Sequence, residues 1–362
     1  MTSFTTTARN MTSFTTTTSL TTTIRTANTS HATASSSKKR RTCVFGSSAN
    51  PPTGERGHVG IVRALAALPH FDEIRVVPVY NHPFSTKRKQ LAPFEHRMAL
   101  CRLAFEGISD KVTVSNAEEM LYQEKLLQRK MQQQEEERKG ESNNDNNNSN
   151  SQENNHHHSN ISIGTADLLE YFQNTANNEE CTLCLGADTF LDLVSGKWRR
   201  TNDILQLCQG RFIVLYRKEE DISNSLAEHE TEYQEEHSEQ PCPHQQAKLQ
   251  QAIDKLNEQY GAHSAQLLHI PTLGSVSSTL IRTLSSASSL GNFGGGGIGS
   301  SSHGSVSDTN TSASASNSNS ASEQQQQQQK QQRADEYLRR SVTPEVFEYM
   351  VQHQLYGFGR EE

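Results

Sequence analysis

The sequence predicts an α/β fold in which helices flank a parallel sheet. Short apolar runs alternate along the chain with segments whose apolar residues recur at helical spacing. That alternation is typical of parallel strands joined by right-handed helical crossovers. Only 32% of the 362 residues are hydrophobic, against roughly 45–50% in typical globular chains. We therefore expect a single domain that is interrupted by disordered insertions.

The first predicted strand and the first predicted helix enclose a glycine-containing loop. Cys43–Phe45 is an apolar run too short to show a period, and it stops at Gly46. After the loop, apolar residues recur at helical spacing over Val59–Leu68, and Pro69 ends that pattern. Four further runs are predicted to be strands: Glu73–Val79, Lys111–Val114, Cys181–Leu185 and Phe212–Tyr216.

The last predicted element is a helix over Thr343–Leu355. Thr343 is a suitable N-cap residue, and Pro344 suits the first helical position because its missing N–H would have no partner there. An apolar stripe follows, so this helix is expected to pack on the domain.

Low-complexity segments set the expected domain boundaries. Residues 1–41 are rich in Ser and Thr and contain no Asp or Glu, which fits either a disordered tail or an organelle transit peptide. The domain is expected over residues 42–358. It is interrupted by a Gln/Glu/Asn-rich insertion at about 126–160, an acidic one at about 218–247, and a Gly/Ser/Asn and polyglutamine one at about 288–332. The polyglutamine segment leaves self-association open.

Composition excludes several classes of protein. No apolar run approaches the ~20 residues of a membrane helix, so we expect no membrane span. The net charge of −7 argues against a general nucleic-acid binder. Six cysteines without a secretory signal predict reduced thiols in an intracellular protein, in the cytoplasm or, if the tail is a transit peptide, in a plastid or mitochondrion. The Cys181-x-x-Cys184 pair is expected to be two buried strand thiols, and no metal site is predicted.

The loop after the first strand is a candidate phosphate site. Gly46, Ser47 and Ser48 open it, and Gly57 and His58 close it where the helix starts. Free backbone N–H groups at a helix N-terminus attract anions, and a histidine there adds a donor. Taken alone, the loop would favour the alternative of a structural turn that happens to contain a histidine.

A second candidate phosphate site lies near the other end of the ordered chain. Ser277, Ser278 and Thr279 come at a predicted helix start, with Arg282 one turn further on. Hydroxyls, free N–H groups and a guanidinium can hold a polyphosphate, although a serine-rich helix cap is the alternative. Lys87 belongs to a run of three cations after the second strand, at the sheet edge where open α/β sheets bind ligands. A solvated charge run is the alternative there.

The first loop resembles a known signature. Residues 46–58, GSSANPPTGERGH, are similar to the Gly-Gly-x-Phe-Asp-Pro-x-His/Thr-x-Gly-His motif of the nucleotidyltransferase superfamily, and more narrowly to nicotinate/nicotinamide mononucleotide adenylyltransferases. Ser47 stands for the second glycine and Thr53 for the first histidine. The spacing from Thr53 to His58 is two residues longer than in the T/HxGH motif. The resemblance implies a Rossmann-like parallel sheet.

Three later segments extend the resemblance. Residues 161–172 are similar to the family's Ser-Tyr-Thr-x-Asp-Thr-Leu segment, and residues 186–188 with Trp198 match its Gly-x-Asp motif and downstream tryptophan. Residues 274–282 are similar to Ile-Ser-Ser-Thr-x-Ile-Arg. A further similarity, to His-Arg-Leu-x-Met, includes Arg97, to which we assign a mainly structural role.

The resemblance implies transfer of an adenylyl group from ATP to nicotinate mononucleotide, which gives deamido-NAD and pyrophosphate. The implied catalytic residues are His58, Thr53 and Arg282. The implied ATP- and phosphate-binding residues are Gly46, Ser47, Ser48, Gly57, Lys87, Ser277, Ser278 and Thr279. Thr165, Asp188 and Trp198 are implied at the nicotinate mononucleotide. Mg²⁺ is expected on the ATP phosphates rather than in a protein cage.

Three alternatives stay open. Nicotinamide mononucleotide is the first, as a preferred or shared substrate. A related transferase acting on phosphopantetheine or a choline-type phosphate is the second, and it leaves Trp198 and Thr165 unexplained. The third is a nucleotide-binding interaction protein that has lost activity. The adenylyltransferase interpretation requires that His58 and Arg282 face each other across one cleft.

Overall fold

The fold is built on a sheet of six parallel strands. The structure is a computed structural model, and it describes residues 38–82, 84–141, 161–175, 179–216, 243–274, 276–287, 329 and 332–358. The strands are β1 Arg40–Ser47, β2 Glu73–Pro78, β3 Val112–Val114, β4 Glu179–Gly186, β5 Phe212–Tyr216 and β6 Ala265–His269. All pairings between neighbouring strands are parallel. The predicted Rossmann-like sheet is confirmed.

The strand order places a crevice at one end of the sheet. The order is β3-β2-β1-β4-β5-β6, so the chain turns from one side of β1 to the other at β4. Open sheets of this kind bind ligands outside the carboxyl ends of the strands at that switch point. Here those ends are Ser47 in β1 and Gly186 in β4. β1 starts at Arg40 and so takes in the last residues of the predicted tail.

Helices cover both faces of the sheet. They are α1 His58–Ala67, α2 Ser85–Arg88, α3 Phe94–Phe105, α4 Ala117–Glu141, α5 Thr165–Thr175, α6 Ala187–Val194, α7 Thr201–Leu207, α8 Pro243–Tyr260, α9 Ser278–Ala287, α10 at 332–341 and α11 Pro344–Gln352. Helices α1, α3, α9, α10 and α11 contribute apolar side chains to one core. Helices α4 to α8 contribute to a second core on the other face. Because both faces are covered, the strands can be continuous apolar runs.

The C-terminal helix begins as predicted. Pro344 is its first residue, and the Thr343 hydroxyl accepts a hydrogen bond from the backbone N–H of Val346 at 3.4 Å. Just before it, the carbonyl of Ser341 accepts a hydrogen bond from the Gly54 N–H at 2.7 Å. The end of the described chain is therefore anchored on the loop that follows β1.

Helix α4 takes up the start of the first polar insertion. It runs over Ala117–Glu141, because Gln, Glu, Lys and Leu favour helix even where little apolar surface is buried. Residues 142–160 lie outside the described part of the chain, as do 1–37, 217–242 and 288–328. Predictions made for those segments stay predictions. Within the described residues, no helix is long and apolar enough to cross a membrane.

Candidate active site

The first helix starts on a histidine whose ring is held by Thr53. The Thr53 N–H donates to His58 Nδ1 at 3.1 Å, and the Thr53 hydroxyl lies 2.7 Å from the same atom. The hydroxyl oxygen also accepts from the His58 N–H at 2.8 Å. Since a backbone N–H can only donate, Nδ1 is an acceptor, and the neutral ring carries its proton on Nε2. Thr53 therefore fixes the histidine as an Nε2 donor.

The proton on Nε2 points towards the end of β1. His58 Nε2 lies 3.0 Å from the Ser47 hydroxyl oxygen, and that oxygen accepts a hydrogen bond from the Ala49 N–H at 3.1 Å. The histidine donor is thus presented at the carboxyl end of the central strand, where the crevice opens. The Ser47 hydroxyl lies next to it, and the phosphate site at this loop stays a prediction.

The longer spacing between Thr53 and His58 is taken up by a turn. The Gly57 N–H donates to the Gly54 carbonyl at 2.9 Å, so the extra residues are accommodated in this turn while threonine and histidine still meet. A Cβ on Gly57 would lie 1.9 Å from the Thr53 hydroxyl oxygen. Only glycine permits this approach, so Gly57 serves the Thr53–His58 contact through its backbone.

Helix α9 binds the same loop from the other side. The Ser278 hydroxyl donates to the Pro51 carbonyl at 2.7 Å, and the Arg282 guanidinium donates to the Asn50 carbonyl at 2.6 Å. Burial lowers the pKa of Arg282 from its ordinary value. The two predicted signatures are therefore brought together, with residues 50–53 between Arg282 and His58.

The hydroxyls at the start of α9 already have local partners. The Ser277 hydroxyl oxygen accepts from the Leu280 N–H at 3.1 Å, which is the helix-cap alternative raised by the sequence. The Thr279 hydroxyl oxygen accepts from Arg282 Nη2 at 3.2 Å. Both residues lie where the N-terminal N–H groups of a helix favour an anion.

The crevice is open above the two strands that border it. Cβ atoms built on Gly46 and on Gly186 would meet nothing within 4 Å. Asp188 lies just beyond β4 in the first turn of α6, with an exposed side chain. It lines a groove of about 900 Å³ between α6 and α8.

The segments that contain Thr165 and Trp198 are joined by a group of ion pairs around Asp167, which the sequence did not predict. Thr165 is the first residue of α5, and Trp198 is half-buried against the core on that face. Between them, Asp167 accepts from the Gly164 N–H at 2.8 Å and pairs with Arg199 at 3.1 Å. Further ion pairs join it to Lys125 at 3.0 Å and to Arg200 at 3.2 Å.

The pKa of Asp167 reflects this setting. Burial acts to raise it, but the Gly164 N–H and the neighbouring cations Lys125 and Arg199 outweigh burial and bring it below the ordinary value. The carboxylate is therefore ionised and holds α4, α5 and the tryptophan segment in one arrangement. The sequence contains this aspartate within the family-like segment at 161–172, but nothing in the pattern indicates its partners.

The role of Lys87 at a phosphate stays a prediction. Lys87 lies on the short helix α2 with an exposed side chain, and it takes no part in the described hydrogen bonds that join the first loop to α9. The segment that follows is nevertheless anchored on that loop. Asn50 Nδ2 donates to the Gln90 carbonyl at 2.8 Å, and the Ala92 N–H donates to Asn50 Oδ1 at 2.9 Å.

Arg97 has the structural role that the sequence assigned to it. Its side chain is almost fully buried in α3. The guanidinium donates to four backbone carbonyls, those of Ala92 at 2.9 Å, Ser48 at 3.1 Å, Val79 at 2.5 Å and Tyr80 at 3.2 Å. Arg97 therefore clamps the carboxyl ends of β1 and β2 to the start of α3.

Tyr356 is a further residue at this clamp that the sequence did not reveal as part of the site. It lies in the short 3₁₀ turn Leu355–Gly357, and its buried hydroxyl has no hydrogen-bond partner among the described residues. Burial raises the pKa of the phenol, and the charges of Arg97 and Arg282 act against that rise. The C-terminal turn thus places a polar atom near both arginines.

Glu118 should make stability depend on pH near neutrality. Its carboxylate accepts from the Tyr80 N–H at 2.7 Å at the start of α4, and burial raises its pKa from 4.5 to about 7. The folded protein therefore holds this proton more tightly than the unfolded chain. The stabilisation that Glu118 provides is fully present below about pH 4.5. It is lost as the pH rises through about 7, so the free energy of unfolding falls over that range.

The measurement is thermal unfolding of wild type and Glu118→Gln between pH 5 and pH 8. We expect the variant to lose part of the fall in unfolding temperature over this range. Glu119→Gln is the matched control. Glu119 is the next residue on α4, and its carboxylate accepts a hydrogen bond from the Asn116 side chain at 3.3 Å. A Glu118→Gln profile parallel to that of wild type contradicts the assignment.

Fold and site together define an α/β protein with a parallel sheet and a crevice at which two helix N-termini contact one loop. No family model matches the sequence. A probable nicotinate-nucleotide adenylyltransferase of Myxococcus xanthus is 38% identical over 76 residues, which are 21% of this chain and 37% of that protein. One of Anaeromyxobacter dehalogenans is 35% identical over 91 residues, 24% of this chain and 44% of that protein.

The chain therefore spans less than half the length of the curated relatives it matches. Over that stretch they confirm the predicted resemblance to the nicotinate/nicotinamide mononucleotide adenylyltransferase family. Among solved structures, the nicotinic acid mononucleotide adenylyltransferase of Plasmodium falciparum, complexed with APC or with NaAD, is similar with a TM-score of 0.44. Its identity is 15% and 16% in the two structures, over 88% of this chain and 98% of that one.

Proposed function

We propose that the protein is a nicotinate-nucleotide adenylyltransferase, which joins nicotinate mononucleotide to ATP and forms deamido-NAD and pyrophosphate, a step of NAD biosynthesis. The curated relatives carry that name. The observation that supports the proposal most is the shared loop: Thr53 orients His58 from one end of it, and Arg282 bonds the Asn50 carbonyl at the other. Two helix N-termini thus converge on one crevice.

The chemistry needs alignment more than proton transfer. A phosphate oxygen of the mononucleotide forms a bond to the α-phosphorus of ATP, and the bond from that phosphorus to the bridging oxygen breaks, with its electron pair leaving on pyrophosphate. The attacking phosphate is already ionised at neutral pH, so no general base is required. The protein's contribution is to hold two like-charged groups together and to stabilise the charge that develops.

The residues divide this work by position. His58 would donate from Nε2 to an α- or β-phosphate oxygen, with Ser47 and the N–H groups of the first loop beside it. Ser278 and Arg282 would hold the β- and γ-phosphates at the start of α9. Mg²⁺ would arrive on the phosphate oxygens as part of the substrate.

The nicotinate ring is assigned to the far side of the crevice. Trp198 offers a flat apolar face, and Thr165 offers a hydroxyl and the N-terminus of α5. Asp167 links the two segments through Gly164 and Arg199. Asp188 is assigned to the bound nucleotides from the start of α6.

The test is pyrophosphate release from ATP with nicotinate mononucleotide or with nicotinamide mononucleotide. We expect turnover with the acid, and the ratio of kcat/KM values decides the acid or amide preference. Equilibrium binding of ATP is measured in parallel. Binding of ATP without turnover on either mononucleotide would overturn the proposal and support the nucleotide-binding interaction protein instead.

A further inference from the structure

The two extra residues in the first loop, Glu55 and Arg56, contact different parts of the protein. They are accommodated between Thr53 and His58, in the turn closed by the Gly57 N–H and the Gly54 carbonyl. Glu55 faces outwards and pairs with Arg63 on α1, where the two groups share hydrogen bonds of 2.6 and 3.2 Å. Its charge is therefore balanced at the surface.

Arg56 instead contacts Gly274, the first residue of the family-like segment at 274–282. Its carbonyl accepts from the Gly274 N–H at 2.9 Å. A Cβ built on Gly274 would lie 2.8 Å from Arg56 Nε and 2.9 Å from Nη2, so the guanidinium packs directly on this glycine. Arg56 is half-buried. Both its backbone and its side chain are thus fixed against the segment that leads into α9.

This contact joins a cation two residues before the start of α1 to a glycine four residues before the start of α9. With at most about 3.6 Å per residue, the Cα of Arg56 lies within about 7 Å of that of His58, and the Cα of Gly274 within about 14 Å of that of Ser278. Both helix starts carry positive partial charge. A guanidinium adds a full charge and a planar set of donors that matches phosphate oxygens.

We propose that Arg56 is a further phosphate-binding residue, which contacts the β- and γ-phosphates of ATP and the pyrophosphate that leaves. This inference rests on the proposed adenylyltransferase function. In the reaction, the bond from the α-phosphorus to the bridging oxygen breaks, and its electron pair goes to pyrophosphate. The guanidinium of Arg56 neutralises that charge, while Gly274 keeps the space that the side chain needs.

The experiment compares Arg56→Gln, Arg56→Lys and Gly274→Ala with wild type. We expect Arg56→Gln to raise the KM for ATP and the inhibition constant of pyrophosphate by about tenfold or more, with little change in the KM for the mononucleotide. Arg56→Lys should recover part of the loss because it keeps a point charge. Gly274→Ala should resemble Arg56→Gln, since the new methyl group displaces the guanidinium.

Arg63→Gln is the matched control, because it removes a nearby cation that pairs with Glu55 at the surface. The inference is overturned if the KM for ATP and the inhibition constant of pyrophosphate for Arg56→Gln lie within twofold of those for Arg63→Gln. A lower unfolding temperature of Arg56→Gln would then show that Arg56 makes only a structural contact. Direct titration of pyrophosphate into wild type and Arg56→Gln keeps the test independent of turnover. A tenfold weaker affinity of the variant supports the inference even if no adenylyl transfer is found.

Discussion

Replacement of His58 by alanine is expected to lower kcat for adenylyl transfer by about 10²–10³-fold, the range seen when one donor to a developing charge is removed. The structure gives the reason. Thr53 occupies Nδ1 through its N–H and its hydroxyl, so the only proton of the neutral ring is on Nε2, at the mouth of the crevice. Alanine keeps α1 but supplies no donor there.

The loss should fall on kcat more than on the KM for either substrate, because the donor works on charge that forms during the reaction. Steady-state pyrophosphate release measures both constants. His70→Ala is the control, since it removes a half-buried imidazole three residues beyond the other end of α1. A His58→Ala enzyme within tenfold of wild type, with the control unchanged, contradicts the role given to His58.

Replacement of Arg97 by methionine is expected to lower the free energy of unfolding by at least about 3 kcal/mol. Methionine fills much of the same space but leaves four backbone carbonyls without the donors that Arg97 now supplies. Each buried acceptor without a partner costs about 1–3 kcal/mol, although relaxation and water entry make the sum smaller than simple addition. Denaturant unfolding at constant m measures the loss.

Arg102→Met provides the matched control for this prediction. Arg102 lies on the same helix with an exposed side chain and pairs with Glu106 at 3.8 Å across one turn. Such surface pairs contribute about 0–1 kcal/mol, so this variant should unfold close to wild type. If the two variants unfold at the same denaturant concentration, Arg97 does not clamp the strand ends as the structure indicates.

Five of the six strands were predicted because each contains a bounded apolar run, whereas β6 was not predicted, because its side chains are mostly exposed and include Gln266 and His269. Phe212–Tyr216 was predicted to the residue, since a buried parallel strand needs apolar side chains on both faces and the polar segments around it mark its ends. The end of helix α4 was instead expected to belong to the disordered insertion at about 126–160. Its second half is polar and repetitive, and a sequence pattern does not separate an exposed helix from an unpacked insertion.

The site was predictable as motifs but not as contacts. The sequence indicated His58, Ser278 and Arg282 as separate members of two signatures, and the common loop between them emerges only in three dimensions. Asp167 and Arg56 were not predicted to have any role, because their roles come from partners far along the chain. A charged residue near a motif looks the same in the sequence whether it pairs with a neighbour or with a distant helix.

The order of synthesis has a bearing on how this crevice is completed. The loop after β1 leaves the ribosome early, yet its Asn50 carbonyl is bonded by Arg282, which lies 232 positions later. Its Gly54 N–H is satisfied still later, by the Ser341 carbonyl. The hydrogen bonds that hold this loop therefore cannot all form in a nascent chain until nearly all of the domain has emerged.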